Sequence, residues 1–232
     1  MDHEWLIRTA ADYGIPLEET KAKEIAAYCD AVLETNKLFN LTAITEPAEM
    51  MEKNALDCLT VLPYLPGSGA VADVGTGAGF PGAIIRIVRP DLAVTLIEAT
   101  DKKLRFVVRT LTEMGMEVNG VHLRGEEAAR DIYREYFDAV TARAVASLPA
   151  LLEYALPLVK TGGVLLAMKG AGAEDEIKAA QRALSILGGE VEEVRSLELP
   201  TAGERNIVVI RKVRETPARY PRPSKNIRKD PL

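Results

Sequence analysis

The sequence predicts an α/β fold, an open and mostly parallel seven-stranded sheet with helices wound onto it. Three observations carry that expectation. Val71-Ala72-Asp73-Val74 is a short apolar strand that runs into Gly75-Thr76-Gly77-Ala78-Gly79, then into a helix that Pro81 can open, since proline suits a first helical turn. Val94-Thr95-Leu96-Ile97 repeats the strand pattern and ends on an acid, Glu98, nineteen residues past Gly79. From residue 70 onward, β-branched apolar runs alternate with helical periodicity, as parallel strands joined by crossover helices require.

Residues 1–60 show no strand pattern. Ala22, Ile25, Ala26, Cys29, Val32 and Leu33 recur at three- and four-residue steps, one face of a helix over about 17–38. Asn36 to Thr45 breaks that pattern, and Pro47 opens a further helix toward Leu62. This front carries five Lys/Arg against twelve Asp/Glu in residues 1–60, so residues 1–66 are expected to form an acidic helical cap over the sheet or its mouth. A Pro/Gly connector over 63–69 leads into a core over 67–214. Its strands are expected at 70–74, 93–97, 118–123, 137–142, 163–168, 190–199 and 206–213, the last two as an antiparallel closing pair. Helices are expected at 81–88, 101–114, 126–133, 148–159 and 173–187. Residues 215–232 remain as a basic tail.

The chain has 232 residues, 47% of them hydrophobic and 27% charged, values ordinary for a soluble globule. No apolar run approaches the length of a membrane span, and Asp2, Glu4 and Asp12 spoil any signal peptide, so a cytoplasmic protein is expected. Cys29 and Cys58 read as small buried hydrophobes rather than a disulfide. With His3 and His122 as the only histidines, neither a metal cluster nor a Ser-His-Asp relay can be assembled. Net charge is −5, but residues 211–232 hold eight basic residues against Glu215 and Asp230, leaving −11 for residues 1–210. A basic end on an acidic body points to a phosphate-bearing partner.

Glycines at 75, 77 and 79 leave amide N–H groups and a helix N-terminus free to face a ligand. In open α/β sheets the ligand lies at the carboxyl ends of the strands, and an acid at the tip of the second strand takes the ribose hydroxyls of an adenosine cofactor. The dinucleotide fingerprint is G-x-G-x-x-G; here the spacing is G-x-G-x-G preceded by Asp73, a form that favours S-adenosylmethionine (SAM), which has no phosphate. A nicotinamide-dependent oxidoreductase and a noncatalytic SAM-binding sensor remain as rivals. The same strand-end rule selects Gly125 and Glu126 after the third strand, Arg143 after the fourth and Lys169 after the fifth. Glu126 could accept from an adenine amino group, Arg143 could act electrostatically in the mouth, and Lys169 is open to either a surface or a functional role.

These residues resemble a known family, the bacterial small-subunit (16S) ribosomal RNA guanine-N7 methyltransferases, also called the glucose-inhibited division protein B family. Asn40-Leu41-Thr42 is similar to its N-terminal NLT element. Asp73 to Gly82 (DVGTGAGFPG) is similar to its glycine loop, whose Phe-Pro-Gly ending is far more specific than the glycines. Lys102-Lys103 with Phe106, Phe137-Asp138 with Arg143-Ala144, and Lys169-Gly170 match further family elements. So do Tyr220-Pro221-Arg222 and Pro223-Ser224-Lys225 at the end. The resemblance implies a Rossmann-like SAM-dependent methyltransferase fold, with cofactor contacts on Gly75, Phe80, Gly125, Glu126 and Arg143 beside Asp73, Gly77, Gly79 and Glu98. It implies small-subunit ribosomal RNA or the small subunit as partner; the protein is expected to be a monomer, with Arg143, Lys169, Arg222 and Lys225 as substrate contacts, Lys169 hydrogen-bonding guanine O6 and the basic tail holding phosphates. Methyl transfer to N7, which has a lone pair and no proton to lose, needs no acid or base, so no catalytic residue is assigned. One departure stands out: the family's H-x-x-D-S element here has Asn54 for His and Cys58 for Ser, with Asp57 kept.

Overall fold

The computed structural model describes residues 1–232 throughout. The front of the chain forms helices α1 (His3–Asp12), α2 (Glu19–Asn36), α3 (Pro47–Met50) and α4 (Asp57–Leu59), with a π-helical stretch, Met51–Leu56, joining the last two. Strand and helix then alternate through β1 (Gly69–Val74), α5 (Gly82–Val88), β2 (Leu92–Ile97), α6 (Asp101–Glu113), β3 (Asn119–Val121), α7 (Gly125–Ala128), β4 (Phe137–Arg143), α8 (Leu148–Ala155) and β5 (Val159–Lys169). Helices α9 (Ala173–Ala179) and α10 (Gln181–Leu187) lead to a hairpin of β6 (Gly189–Leu199) and β7 (Gly203–Lys212), and α11 (Ser224–Lys229) lies near the end.

All seven strands join one sheet in the order β3-β2-β1-β4-β5-β7-β6. β1 to β5 pair in parallel, while β7 lies antiparallel between β5 and β6. The chain leaves β1 toward β2 on one side and returns to β4 on the other. The sheet therefore reverses its winding between β1 and β4, which is where such sheets open a crevice. β6, at the exposed edge, carries Glu190, Glu192, Glu193 and Arg195 on its surface, charges that discourage edge-to-edge pairing.

Apolar side chains fill both faces of the sheet. On one face Leu6, Ile25, Val32, Leu56 and Leu59 of the cap share a core with Ile84, Leu96 and Val107. At about 1.5–3 kcal/mol for each large side chain buried, these contacts make the cap a layer of the fold rather than an appendage. On the other face α8, α10 and β5 pack through Leu151, Leu152, Leu165, Leu184 and Leu187.

Boundaries differ from expectation in several places. The helix expected over 173–187 divides at Ala180, whose N–H is shared by the carbonyls of Glu176 and Ile177 at 2.9 and 3.2 Å. The third strand shortens to Asn119–Val121 and the helix after it to Gly125–Ala128. Residues 215–232 are folded onto the core, with Tyr220, Ile227 and Leu232 buried, because three apolar anchors sit among the charges that dominate their composition.

Candidate active site

The strand ends at the switch point build a cleft of about 350 Å³, walled by Val74, Ile97, Leu123 and Tyr154, with Glu98 and Glu126 as its acids. A hollow of about 740 Å³ lies along α6 beside Phe39 and Lys102, but it gathers no glycine-loop residue. The cleft of interest starts where β1 stops. Gly75, Gly77 and Gly79 hold φ of +69°, +59° and +94°, left-handed backbone that side chains resist. The turn closes through Gly79 N–H and Phe80 N–H, which donate to the Thr76 carbonyl at 2.8 and 3.1 Å.

The three glycines do different work. A Cβ on Gly77 would meet nothing nearer than the Gly75 carbonyl at 3.9 Å, so its left-handed backbone rather than a lack of space calls for glycine, and it does not line the cleft. A Cβ on Gly75 would stand 2.9 Å from the Val145 side chain. At Gly79 the space belongs to the protein itself: a Cβ there would lie 2.0 Å from the Tyr28 hydroxyl, which reaches in from α2 and donates to the Ala78 carbonyl at 2.7 Å. Gly79, expected to admit the cofactor, admits the cap instead.

Asp73 is also turned inward. It is buried, with one carboxylate oxygen accepting the Gly82 N–H at 2.8 Å and the other the Thr141 hydroxyl at 3.0 Å. Burial pushes its carboxyl above the usual range, opposed by hydrogen bonds from neighbours that include Gly82 and Thr141. The residue ties β1 to β4 and caps the first amide of α5. It does not reach into the cleft.

Glu98 ends β2 and does face the loop. Its carboxylate accepts the Gly77 N–H at 2.9 Å and the Thr100 N–H at 2.8 Å, so it stands beside the most open glycine. Across the cleft Gly125 opens α7 with no room for a side chain, since a Cβ would stand 2.8 Å from the Tyr154 carbonyl and 3.0 Å from Val74. The buried Glu126 carboxylate pairs with Arg124 Nε at 3.1 Å. Tyr154, Val145 and Arg228 line the cleft as well, none of them singled out by the sequence. Phe80 packs edge-on to Tyr28 at 5.8 Å and lies 5.7 Å from the Arg143 guanidinium.

Arg143 lies behind the cleft. Its guanidinium donates to the Lys53 carbonyl at 2.6 Å, Asn54 Oδ1 at 2.5 Å and Asp57 Oδ2 at 3.2 Å, joining β4 to the π-helical turn. That turn inserts an extra residue and aims successive side chains in different directions. Glu52, two residues earlier, accepts from Thr201 N, Thr201 Oγ1 and Ala202 N at the β6–β7 hairpin. Burial raises the Asp57 carboxyl, offset by Arg143 and Arg205. Asn54 thus occupies the family's histidine position as an acceptor for arginine.

The remaining expected contacts divide. Lys169 Nζ donates to the Ala146 carbonyl and to Glu176, both at 2.7 Å, and Glu176 also accepts the Leu148 N–H, so this lysine fastens the loop between β4 and α8. Ala144 within that loop has φ +54°, a strained value for a residue with a Cβ. Arg222 is committed to the buried Glu153 at 2.7–2.8 Å. Lys225 alone of the four is exposed.

Comparison with known proteins agrees with this architecture. A relative from Lactobacillus johnsonii named ribosomal RNA small subunit methyltransferase G is 41% identical over the full length of both chains. A second of that name, from Acetivibrio thermocellus, is 42% identical over 98% of this chain and 95% of its own. Among solved structures, a precorrin-6y C5,15-methyltransferase from Geobacter metallireducens superposes with a TM-score of 0.53 at 17% identity, over 67% of this chain and 86% of that one. TrmN from Thermus thermophilus gives 0.52 at 18% identity, over 68% and 48%. Both share the fold. The model of the family GidB, rRNA small subunit methyltransferase G, matches residues 21–208, and the chain belongs to that family.

Proposed function

We propose that this chain transfers the methyl group of SAM to N7 of a guanine in small-subunit ribosomal RNA. The observation that carries the choice of cofactor is Asp73. A dinucleotide needs the helix N-terminus after the first strand for its pyrophosphate. Here the first amide of α5 already donates to the Asp73 carboxylate, and a buried acid at that position repels phosphate. A phosphate-free nucleoside fits the same cleft. Glu98 suits its ribose hydroxyls, the Gly75 backbone its amino-acid end, and the apolar walls with Glu126 its base.

When bound, SAM supplies a methyl group that its sulfonium has already activated. The protein's share is placement, where effective molarities of about 10⁵ M or more are attainable. No proton has to move, which agrees with a cleft whose acids serve as hydrogen-bond acceptors. Arg143 and Lys169 are assigned to shaping the β4 end from behind, because their donors are committed to the cap and to the loop. Lys225 on the surface is assigned to RNA phosphate, so RNA binding should weaken steeply with salt. The protein is taken to act as a monomer beside its ribosomal substrate in the cytoplasm.

Two measurements test this. Calorimetric titration should show binding of SAM and none of NADH. Labelled SAM should then mark undermethylated small subunits or their naked RNA at a guanine N7. Binding of NADH, or SAM binding with no label reaching RNA, would overturn the reading.

A further inference from the structure

The segment after β7 is held with unusual care for a chain terminus. Arg134 donates to the carbonyls of Thr216 and Tyr220, and both Nε and Nη2 of Arg130 donate to that of Pro221. Glu135 accepts the Thr216 N–H at 2.7 Å. Arg222 then meets Glu153 of α8, which is fully buried and accepts from Arg222 N, Nε and Nη2. A buried carboxylate matched this way is strongly destabilising once its partner is removed, so the segment has one seat on the core.

That seat delivers a side chain to the cleft. Ile227 of α11 is buried against Ala150 and Tyr154, and the Tyr154 carbonyl is the atom packed over Gly125. The next residue, Arg228, is exposed, makes no ion pair, and lines the end of the cleft shared with Tyr154, Gly125 and Glu126. Arg124, the other cation there, is already paired with Glu126. Arg228 therefore has a free guanidinium plane beside the apolar end of the cofactor site.

We propose that Arg228 is a cofactor-binding residue: the C-terminal strap places its guanidinium against the base of the adenine nucleoside, closing that end of the cleft. The proposal rests on the reading of the cleft as a SAM site. A planar, weakly hydrated guanidinium stacks on a π face in a way that an ammonium group does not.

The test is calorimetric titration of the full chain with SAM and, separately, with adenosine. Arg228→Ala should weaken both about tenfold, with Arg228→Lys intermediate and Lys229→Ala, on the same helix, unchanged. Arg228 is on the surface, so the unliganded melting temperatures should agree. Unchanged affinity in Arg228→Ala overturns the proposal alone, since the native chain still binds SAM. Loss for SAM without loss for adenosine overturns it too, because the contact would then lie away from the base. An equal loss in Lys229→Ala would reduce the effect to general surface charge, also against it. Weaker RNA binding with unaltered SAM affinity would make Arg228 a phosphate contact and overturn it. Failure of the native chain to bind SAM at all would remove the site reading and this extension together.

Discussion

The Tyr28 hydroxyl donates to the Ala78 carbonyl and fills the position where a side chain on residue 79 would stand, so the cap sets the shape of the glycine loop. Tyr28→Phe should cost about 1–2 kcal/mol, because a buried carbonyl loses its donor. Gly79→Ala should cost more, about 3 kcal/mol, from the clash with Tyr28 and the left-handed backbone together. In the double variant the 2.0 Å clash is removed, while the backbone strain and tight 3.0 Å contacts with the ring and Ala83 stay. Urea denaturation of the four proteins should therefore give a combined loss smaller than the sum of the single losses.

Glu98 organises two amides that no other side chain reaches. Glu98→Gln turns one accepting oxygen into an N–H₂ facing the N–H of Gly77 or Thr100. The variant should keep its fold within about 1–2 kcal/mol, as one hydrogen bond is at stake, while SAM affinity falls roughly 10- to 100-fold. Calorimetric titration beside a thermal melt separates the two effects. An unchanged affinity would remove Glu98 from the cofactor site.

Asp73 gives a dependence on pH whose sign can be worked out. Burial holds its native carboxyl above the unfolded value of about 4, so the folded state binds that proton more tightly. Its favourable contribution is complete below the unfolded pKa and is lost as pH rises through the raised native one. Asp73→Asn has no such titration. The melting temperature of the native chain minus that of the variant should therefore be more positive near pH 4 than near pH 7. Calorimetric melts at several pH values would show it. A difference that grows instead toward pH 7 would contradict the assignment.

Much of the fold was legible because the central parallel strands carry buried, mostly apolar runs, whereas β3, Asn119-Gly120-Val121, carries almost none. Asp73-Val74, Leu96-Ile97 and Val140-Thr141 are buried on both faces and read directly as central strands. Side-chain commitments were not legible, since they depend on partners far away in sequence. Lys169, Arg143 and Arg222 look like free cations in a string of letters, yet each is spent on a particular acceptor across the fold. Asp73 sits beside the glycines and turns its back on the cleft. The Tyr28 hydroxyl sets it apart from the apolar stripe of its helix in the sequence, although it is buried with Ile25 and Cys29. The C-terminal strap was hidden by its charge: Ile227 and Leu232 are too few to produce a periodic signal, and the buried Glu153 with the Asp230 carbonyl explains why Arg222 lies where it does.

Asn54 poses the sharpest question about the divergent element. Arg143 Nη2 donates to Asn54 Oδ1 while Nη1 is shared by the Lys53 carbonyl and Asp57. The requirement at residue 54 is an acceptor, and a neutral imidazole meets it as an amide does. Asn54→His should retain the fold near neutral pH. As pH falls the ring would have to gain a proton next to the arginine, so this variant should lose stability toward pH 5 faster than the native chain. Asn54→Leu has no acceptor and strands one side of a mostly buried guanidinium. It should lose about 1–3 kcal/mol at every pH, with a fall in methyl transfer as the β4 end loosens. Melts across the pH range and single-turnover transfer from labelled SAM would distinguish the three proteins. Equal stability of Asn54→Leu and the native chain would show that Arg143 needs nothing from this position.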